Sequence, residues 1–457
     1  MSTTTTVAEK EDLSIWKSLQ ILFGASRGFW LVNMVNFGDG IAYFGILTLL
    51  TRFLGTRLGM SDHVTGISVS AYTGLVTFFM FGGGFVSDKL GVRRAITWSL
   101  GIMGLGRVLL AAAPGFSGAG QLGAWLGLLL MALGSGIIQP ALYAGIKEYT
   151  DSRTATIGYG LLYAIMNLGI VAENFISPFI RTGDVFLNLK FTTVVGLGWG
   201  IDGVFWVCVA ITGLMLLAHI SLFTKEVEKT ECLYREAPPS SDSAVQSALR
   251  IKDHLKEIPF LDKRFMFFIF ILLPVRTLFA HQFLTMPDYI FRSFPKEVSD
   301  KFEWISGINP LIIVIFVPLV AALTRKARVI DMMIIGTALT ALTSFMLVPS
   351  PTVSALILYT VFFSLGEALW SSRFLEYVAN LAPAGKVGAY MGLAGIPWFL
   401  AKFTTGLYSG SMLHKFIPET GAQDPGTLWF IYGLIACISP IGLIAARRWI
   451  IAGEEKR

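Results

Sequence analysis

Gly84-Phe85-Val86-Ser87-Asp88-Lys89-Leu90-Gly91-Val92-Arg93-Arg94 sets one acid, two glycines and three further cations between two long apolar runs. Gly84 and Gly91 permit a tight turn, Asp88 suits a helix N-terminus, and the cations suit the cytoplasmic face of a membrane. An ordinary charged loop carries similar letters, so the surroundings decide. Apolar residues make up 54% of the 457 and charged residues 14%, with a mean hydropathy of +0.65. A soluble chain carries about 25% charge. The apolar content also falls into runs of about 20 residues, each long enough to cross about 30 Å of hydrocarbon as a helix. Strands of a membrane barrel would alternate instead.

These lengths predict an all-α membrane protein with twelve transmembrane helices in two bundles of six. The first six lie near 28–50, 64–86, 94–114, 121–146, 156–180 and 198–223, and the second six near 265–291, 304–324, 329–349, 352–377, 386–411 and 427–447. The expected domains are a tail at 1–27, an N-terminal bundle at 28–223, a linker at 224–264, a C-terminal bundle at 265–447 and a tail at 448–457. The linker holds Ala237-Pro238-Pro239-Ser240-Ser241-Asp242-Ser243 and room for an amphipathic helix around Ala244–Ile258. With both termini and the linker on one side, 24 of the 36 Lys and Arg lie there, 8 lie opposite and 4 lie within spans. That excess marks the cytoplasmic side, so the formal charge of +6 reflects topology and not a nucleic-acid footprint. The expected location is the plasma membrane, the inner membrane of a bacterium, with no cleaved signal peptide. Cys208 and Cys437 fall in spans and Cys232 in the linker, which suits neither a disulfide framework nor a metal cluster. No phosphate-binding glycine loop or nucleophile elbow is present, so neither an enzyme, a cofactor nor a metal is expected.

The Gly84–Arg93 pattern resembles the signature loop of the major facilitator superfamily, which implies that Gly84, Asp88, Gly91 and Arg93 govern conformational gating. Further segments resemble the proton-dependent oligopeptide transporters, in order and in the matching helices. They are Asn36-Phe37-Gly38-Asp39-Gly40-Ile41-Ala42-Tyr43-Phe44-Gly45, Gly134-Ser135-Gly136-Ile137-Ile138-Gln139-Pro140, Tyr163-Ala164-Ile165-Met166-Asn167-Leu168-Gly169, Asn309-Pro310 and Gly366-Glu367-Ala368. The departures are as informative. Where the family has two glutamates, an arginine and a lysine in the first and fourth helices, this chain has Asn36, Asp39, Gly40 and Gln139, and a seventh-helix acid reads His281 before Gln282. The resemblance thus implies an amine-binding pole at Asn167, Asn309 and Glu367 and removes the usual carboxylate-binding pole. Free dipeptides are then expected to bind worse than their amides.

A charge at the bilayer centre costs at least about 2.5–3.5 kcal/mol, so each needs a partner or a cavity. Depth along the spans places Asp39, Arg276 and Glu367 near mid-membrane, which predicts Arg276–Glu367 or Arg276–Asp39 pairing. Arg276 either binds solute or only neutralises Glu367, and Arg107 is expected in a packing or ion pair. His281 is either a proton carrier or a hydrogen-bonded core residue. Tyr43, Tyr163 and Trp370 are candidate cavity walls, completing a binding set with Asn36, Gln139, Asn167, Arg276, Gln282, Asn309 and Glu367. Asp39, His281 and Glu367 are the candidate proton carriers. Glu173-Asn174 is a gate or a polar rim, and Asp202 and Asp288 are expected at the interface. The function expected is secondary transport of a small amphipathic or peptide-like solute by alternating access, with proton symport the leading coupling. A non-transporting sensor on a carrier fold, or a proton-driven exporter, is the alternative. The expected partners are the solute, protons and the lipid bilayer.

Overall fold

A computed structural model describes residues 24–150, 155–183, 185–189, 192–232, 263–324, 327–381 and 396–454. Among the described residues, helices fall on all twelve expected spans, the seventh in pieces and the eleventh from Ile396 onward. In the first half they are α1 (Arg27–Leu58), α2 (Asp62–Leu90), α3 (Val92–Ala112), α4 (Gly120–Tyr149), α5 (Ala155–Arg181) and α6 (Gly200–Leu222), followed by a short α7 (Lys225–Thr230). The seventh span is broken into α8 (Lys263–Ile271), α9 (Leu273–Leu284) and α10 (Met286–Ser293). Then come α11 (Phe302–Leu323), α12 (Val329–Thr343), α13 (Val353–Leu381), α14 (Ile396–Phe416) and α15 (Pro425–Glu454). Nine of the described helical segments are long and apolar enough to cross a membrane. In hydrocarbon a helix satisfies its own backbone polar groups, which is why continuous apolar runs become helices. Large apolar side chains on the outer surface, such as Leu122, Phe78, Leu214 and Ile441, are correspondingly exposed.

The breaks in the seventh span fall where proline denies the ladder a donor. Pro274 and Pro287 each sit in the first turn of α9 and α10, and the preceding Leu272 and Thr285 carry the interruptions. The expected signature loop is mostly helix. α2 runs on to Leu90, and Gly91, at φ 76°, supplies the whole reversal into α3. Gly84 lies inside α2 with nothing near the place a Cβ would occupy, so it makes no turn. A two-stranded antiparallel hairpin, β1 (Val185–Leu189) with β2 (Thr192–Val195), fills the connection between α5 and α6. That small sheet is an addition to the all-helical expectation. Most of the expected linker, including the Ala244–Ile258 helix, and residues 386–395 of the eleventh span lie outside the described residues.

Three apolar cores organise the molecule. One lies within the first half, from Phe29 and Val32 on α1 to Tyr149 on α4 and Phe223 after α6. A second lies within the second half, from Phe265 on α8 to Tyr377 on α13 and Ile450 on α15. Both sit at the end of the bundle that carries the chain termini. The third is shared: Leu47, Phe53, Val69 and Phe205 from the first half join Leu284, Tyr289, Phe302 and Leu413 from the second. The halves are therefore fused at the end far from the termini and build separate cores at the other.

Ion pairs reinforce the shared end. Arg52 on α1 meets Asp288 on α10 at 3.0 Å. Arg292 grips Asp62 at the start of α2 with two bonds of 2.5 and 2.7 Å. Arg181 at the end of α5 holds Glu303 on α11 at 2.7 and 2.8 Å. Asp288, expected at the interface, is 4% exposed inside this network. Asp202 pairs with the more exposed Arg57.

Along the seam between α2 and α14 the backbones approach closely. A Cβ at Gly66 would lie 3.1 Å from the Gly406 carbonyl oxygen, and one at Gly406 would strike Ser70.

Candidate functional site

Between the halves lies a cavity of about 250 Å³, lined from α1, α2 and α5 on one side and α9, α11, α13 and α14 on the other. Six of the ten predicted binding residues line it: Tyr43, Tyr163, Asn167, Gln282, Asn309 and Glu367. Glu367 on α13 and Asn309 on α11 are joined, Asn309 Nδ2 donating to Glu367 Oε2 at 2.9 Å and to Ser364 Oγ at 3.0 Å. Pro310, next to Asn309 on α11, also lines the cavity. Asn167 Nδ2 donates to the Tyr163 carbonyl at 2.9 Å, which lays both side chains along one face of α5. Gln282 Nε2 donates to the Tyr359 hydroxyl at 2.8 Å. Aromatic rings form part of the remaining wall: Phe44 faces Phe283 across the halves, at 6.0 Å between ring centres, and Phe279 and Trp398 stand edge to face at 5.5 Å. The arrangement is one carboxyl, one lysine and several amides and hydroxyls in a mostly apolar chamber, fit to orient a small amphipathic solute.

Four predicted binding residues lie elsewhere. Asn36 is 3% exposed and spends its amide on the Leu162 carbonyl, at 2.6 Å, tying α1 to α5. Gln139 sits in α4 away from the cavity lining. Trp370 is buried behind the wall, edge-on to Phe279 at 5.7 Å. Arg276 is fully buried beside it, its guanidinium 4.3 Å from the centre of the Phe374 ring and 5.0 Å from that of Trp398.

Neither expected pairing of Arg276 with a mid-membrane acid forms. Asp39 is bonded instead by Arg107 at 2.8 Å, both nearly fully buried, and Arg107 also bonds the Thr212 hydroxyl. Depth along a span was readable; the direction in which each residue faces was not. Asp39 faces α3 and α6 of its own half. Its neighbour Gly40 is a packing glycine, since a Cβ there would lie 2.8 Å from the Met166 carbonyl oxygen on α5. His281 is fully buried, bonded to Thr285 and Tyr408 at 2.8 and 3.1 Å and stacked on Tyr432. It does not line the cavity.

Of the gating set, Gly91 makes the reversal, and Arg93 donates to Glu228 on α7 at 2.8 Å within the first half. The side chain of Asp88 lies outside the described residues. Asn174 lies at the seam of α5 and α11, against Gly307, whereas Glu173 faces Gly45 on α1. Asn174 reaches the cavity, and both Glu173 oxygens are buried. Two features escaped the sequence reading. The ion pairs at the shared end are one, since the sequence gives their members only as outer-side cations and interfacial acids. Lys402, counted only as a cation within a span, lines the cavity; the cost of inserting it marked it, but nothing in one sequence says which way it points.

The family model described as Major Facilitator Superfamily matches residues 30–406. The dipeptide and tripeptide permease A of Enterobacter sp. (strain 638) is 23% identical over 483 residues, covering 90% of this chain and 88% of the permease. The permease of the same name from Yersinia pestis is 23% identical over 474 residues, covering 93% and 91%. Among solved structures, a peptide transporter POT in complex with sulfate superposes with a TM-score of 0.71 at 16% identity, over 95% of this chain and 98% of that one. A POT family transporter in complex with 5-aminolevulinic acid gives 0.70 at 18% identity, over 94% and 97%.

Proposed function

We propose that this chain, which belongs to the Major Facilitator Superfamily, is a secondary transporter that moves a small amphipathic or peptide-like solute by alternating access, coupled to protons. The family and fold are those of transporters, not enzymes. The observation that carries the reading is a central cavity to which both halves contribute, holding the joined Glu367–Asn309 pair. The two bodies that move are residues 28–223 and 265–447, with both termini and the 224–264 linker on the cytoplasmic side of a bacterial inner membrane. The shared core and ion pairs then close the external end, and this is the inward-facing conformer.

Glu367, Asn309 and Asn167 take a cationic or hydrogen-bond-donating group of the solute, with Tyr43, Tyr163 and Gln282 around it. Glu367 is the first proton carrier, because it is the one carboxylic acid among the described cavity residues. Protonation there alters the charge that an incoming amine meets, which links proton binding to solute binding. The permeases that the chain resembles make short peptides the first solutes to test. A receptor that keeps the carrier fold is the second reading, favoured by Gly40, whose position leaves no room for the arginine that relatives carry.

Counterflow in liposomes separates the two. Protein-dependent entry of labelled dipeptide into vesicles preloaded with unlabelled dipeptide is expected of the transporter. Saturable binding with no counterflow sinks transport in favour of the receptor.

A further inference from the structure

We propose that Lys402 is the anion-recognising residue of the central cavity, so that the preferred solute carries a carboxylate as well as an amine. The inference rests on the reading of the cavity as the solute site. Lys402 is the one Lys or Arg among the described residues lining it. Its backbone is fixed: Ser70 on α2 donates its hydroxyl to the Lys402 carbonyl at 2.5 Å, at the seam where Gly66 and Gly406 let the two helices close up. From that seam the lysine reaches the chamber wall, which Thr73 and Trp398 also line.

The opposite charge enters from another direction. Glu367 comes from α13 and is bonded by Asn309 of α11. Among the described residues Glu367 has no ion pair, and the Lys402 ammonium has neither an ion pair nor a hydrogen bond. One cavity thus holds an acid and a base that do not neutralise each other. An ammonium on the wall of a mostly apolar chamber has given up part of its hydration, and no described residue compensates it. A carboxylate arriving with the solute restores that compensation through a charge-assisted hydrogen bond. An amine at the other end of the same solute meets Glu367 and Asn309.

The inference reverses the expectation from sequence that free dipeptides bind poorly. That expectation came from Gly40 and Gln139, the positions where the resemblance placed cations. Arg107, already committed to Asp39, and Arg276, behind the aromatic wall, do not line the chamber. Lys402 supplies a cation from a different helix and the other half of the molecule.

The test is competition binding on purified protein, comparing dialanine with dialanine amide. The wild type is expected to bind the free acid at least about tenfold more tightly than the amide. Lys402→Gln should bring the two within about twofold by weakening the acid alone, and Lys402→Arg should restore most of the preference. Unchanged affinity for the amide in Lys402→Gln shows that the chamber is intact, which a purely structural role for Lys402 would not allow. A wild type that favours the amide, or a Lys402→Gln variant that still favours the acid, overturns the inference and leaves the transporter reading standing. Binding of neither compound by the wild type overturns the peptide-like reading and this inference with it.

Discussion

Glu367 and Asp39 are both carboxylic acids near mid-membrane, yet the structure gives them different surroundings. Glu367 faces the chamber and takes one hydrogen bond from Asn309, whereas Asp39 is closed off in an ion pair with Arg107 inside the first half. Glu367→Gln is therefore expected to lower gradient-driven accumulation at least about tenfold while counterflow persists, since the variant keeps the shape and loses the proton site. Equal accumulation by variant and parent, in the same vesicles, would exonerate Glu367. Asp39→Asn should act mainly on stability, because it leaves the Arg107 charge buried without its partner, at a cost of about 3–5 kcal/mol. Arg107→Met added to it should recover part of that loss, and the thermal midpoint in detergent reads both. If Asp39→Asn instead abolishes accumulation with its midpoint unchanged, Asp39 is the coupling acid.

At the scale of helices, the twelve spans were legible because apolar length is local information. Their ends and breaks were legible only where a local device sets them, as Pro274 and Gly91 do. α2 continues through Gly84 because nothing in that segment stops a helix until Gly91. The hairpin from Val185 to Val195 had a signal in its β-branched Thr192-Thr193-Val194-Val195 run, but strands of five and four residues are too short to register beside twenty-residue spans. The contents of the chamber divide in the same way. Asn167, Asn309 and Glu367 were found through motif resemblance. Asn36, Gln139, Arg276 and Trp370 lie off the chamber, because facing direction is a property of packing. The ion pairs that clamp the shared end join residues 122 to 236 positions apart, beyond any local pattern. They should hold the conformer. Arg292→Gln, which removes the charged pair of hydrogen bonds to Asp62, is expected to shift the balance toward an outward-open form by about tenfold, equivalent to about 1.4 kcal/mol. Paired spin labels at the far ends of α2 and α14 report it as a longer-distance population; an unchanged distance distribution contradicts the clamp.

For the whole molecule, one apolar core spans both halves at one end while each half keeps its own at the other. A receptor needs no such division, whereas two bodies rocking about a chamber do. The seam of α2 and α14 closes only because small residues face each other there, so Gly406→Leu should prevent closure and stop turnover while leaving a foldable bundle. Monodisperse protein without uptake is the expected result, and normal uptake would contradict the rocking geometry.

The central claim, that the chain couples a proton gradient to solute movement, is tested most directly in proteoliposomes with a more acidic exterior. Labelled dialanine should accumulate inside above its external concentration, and a protonophore should return it to equilibrium. Equilibration without accumulation, unaffected by the protonophore, would contradict proton coupling, and the absence of any protein-dependent entry would contradict transport itself.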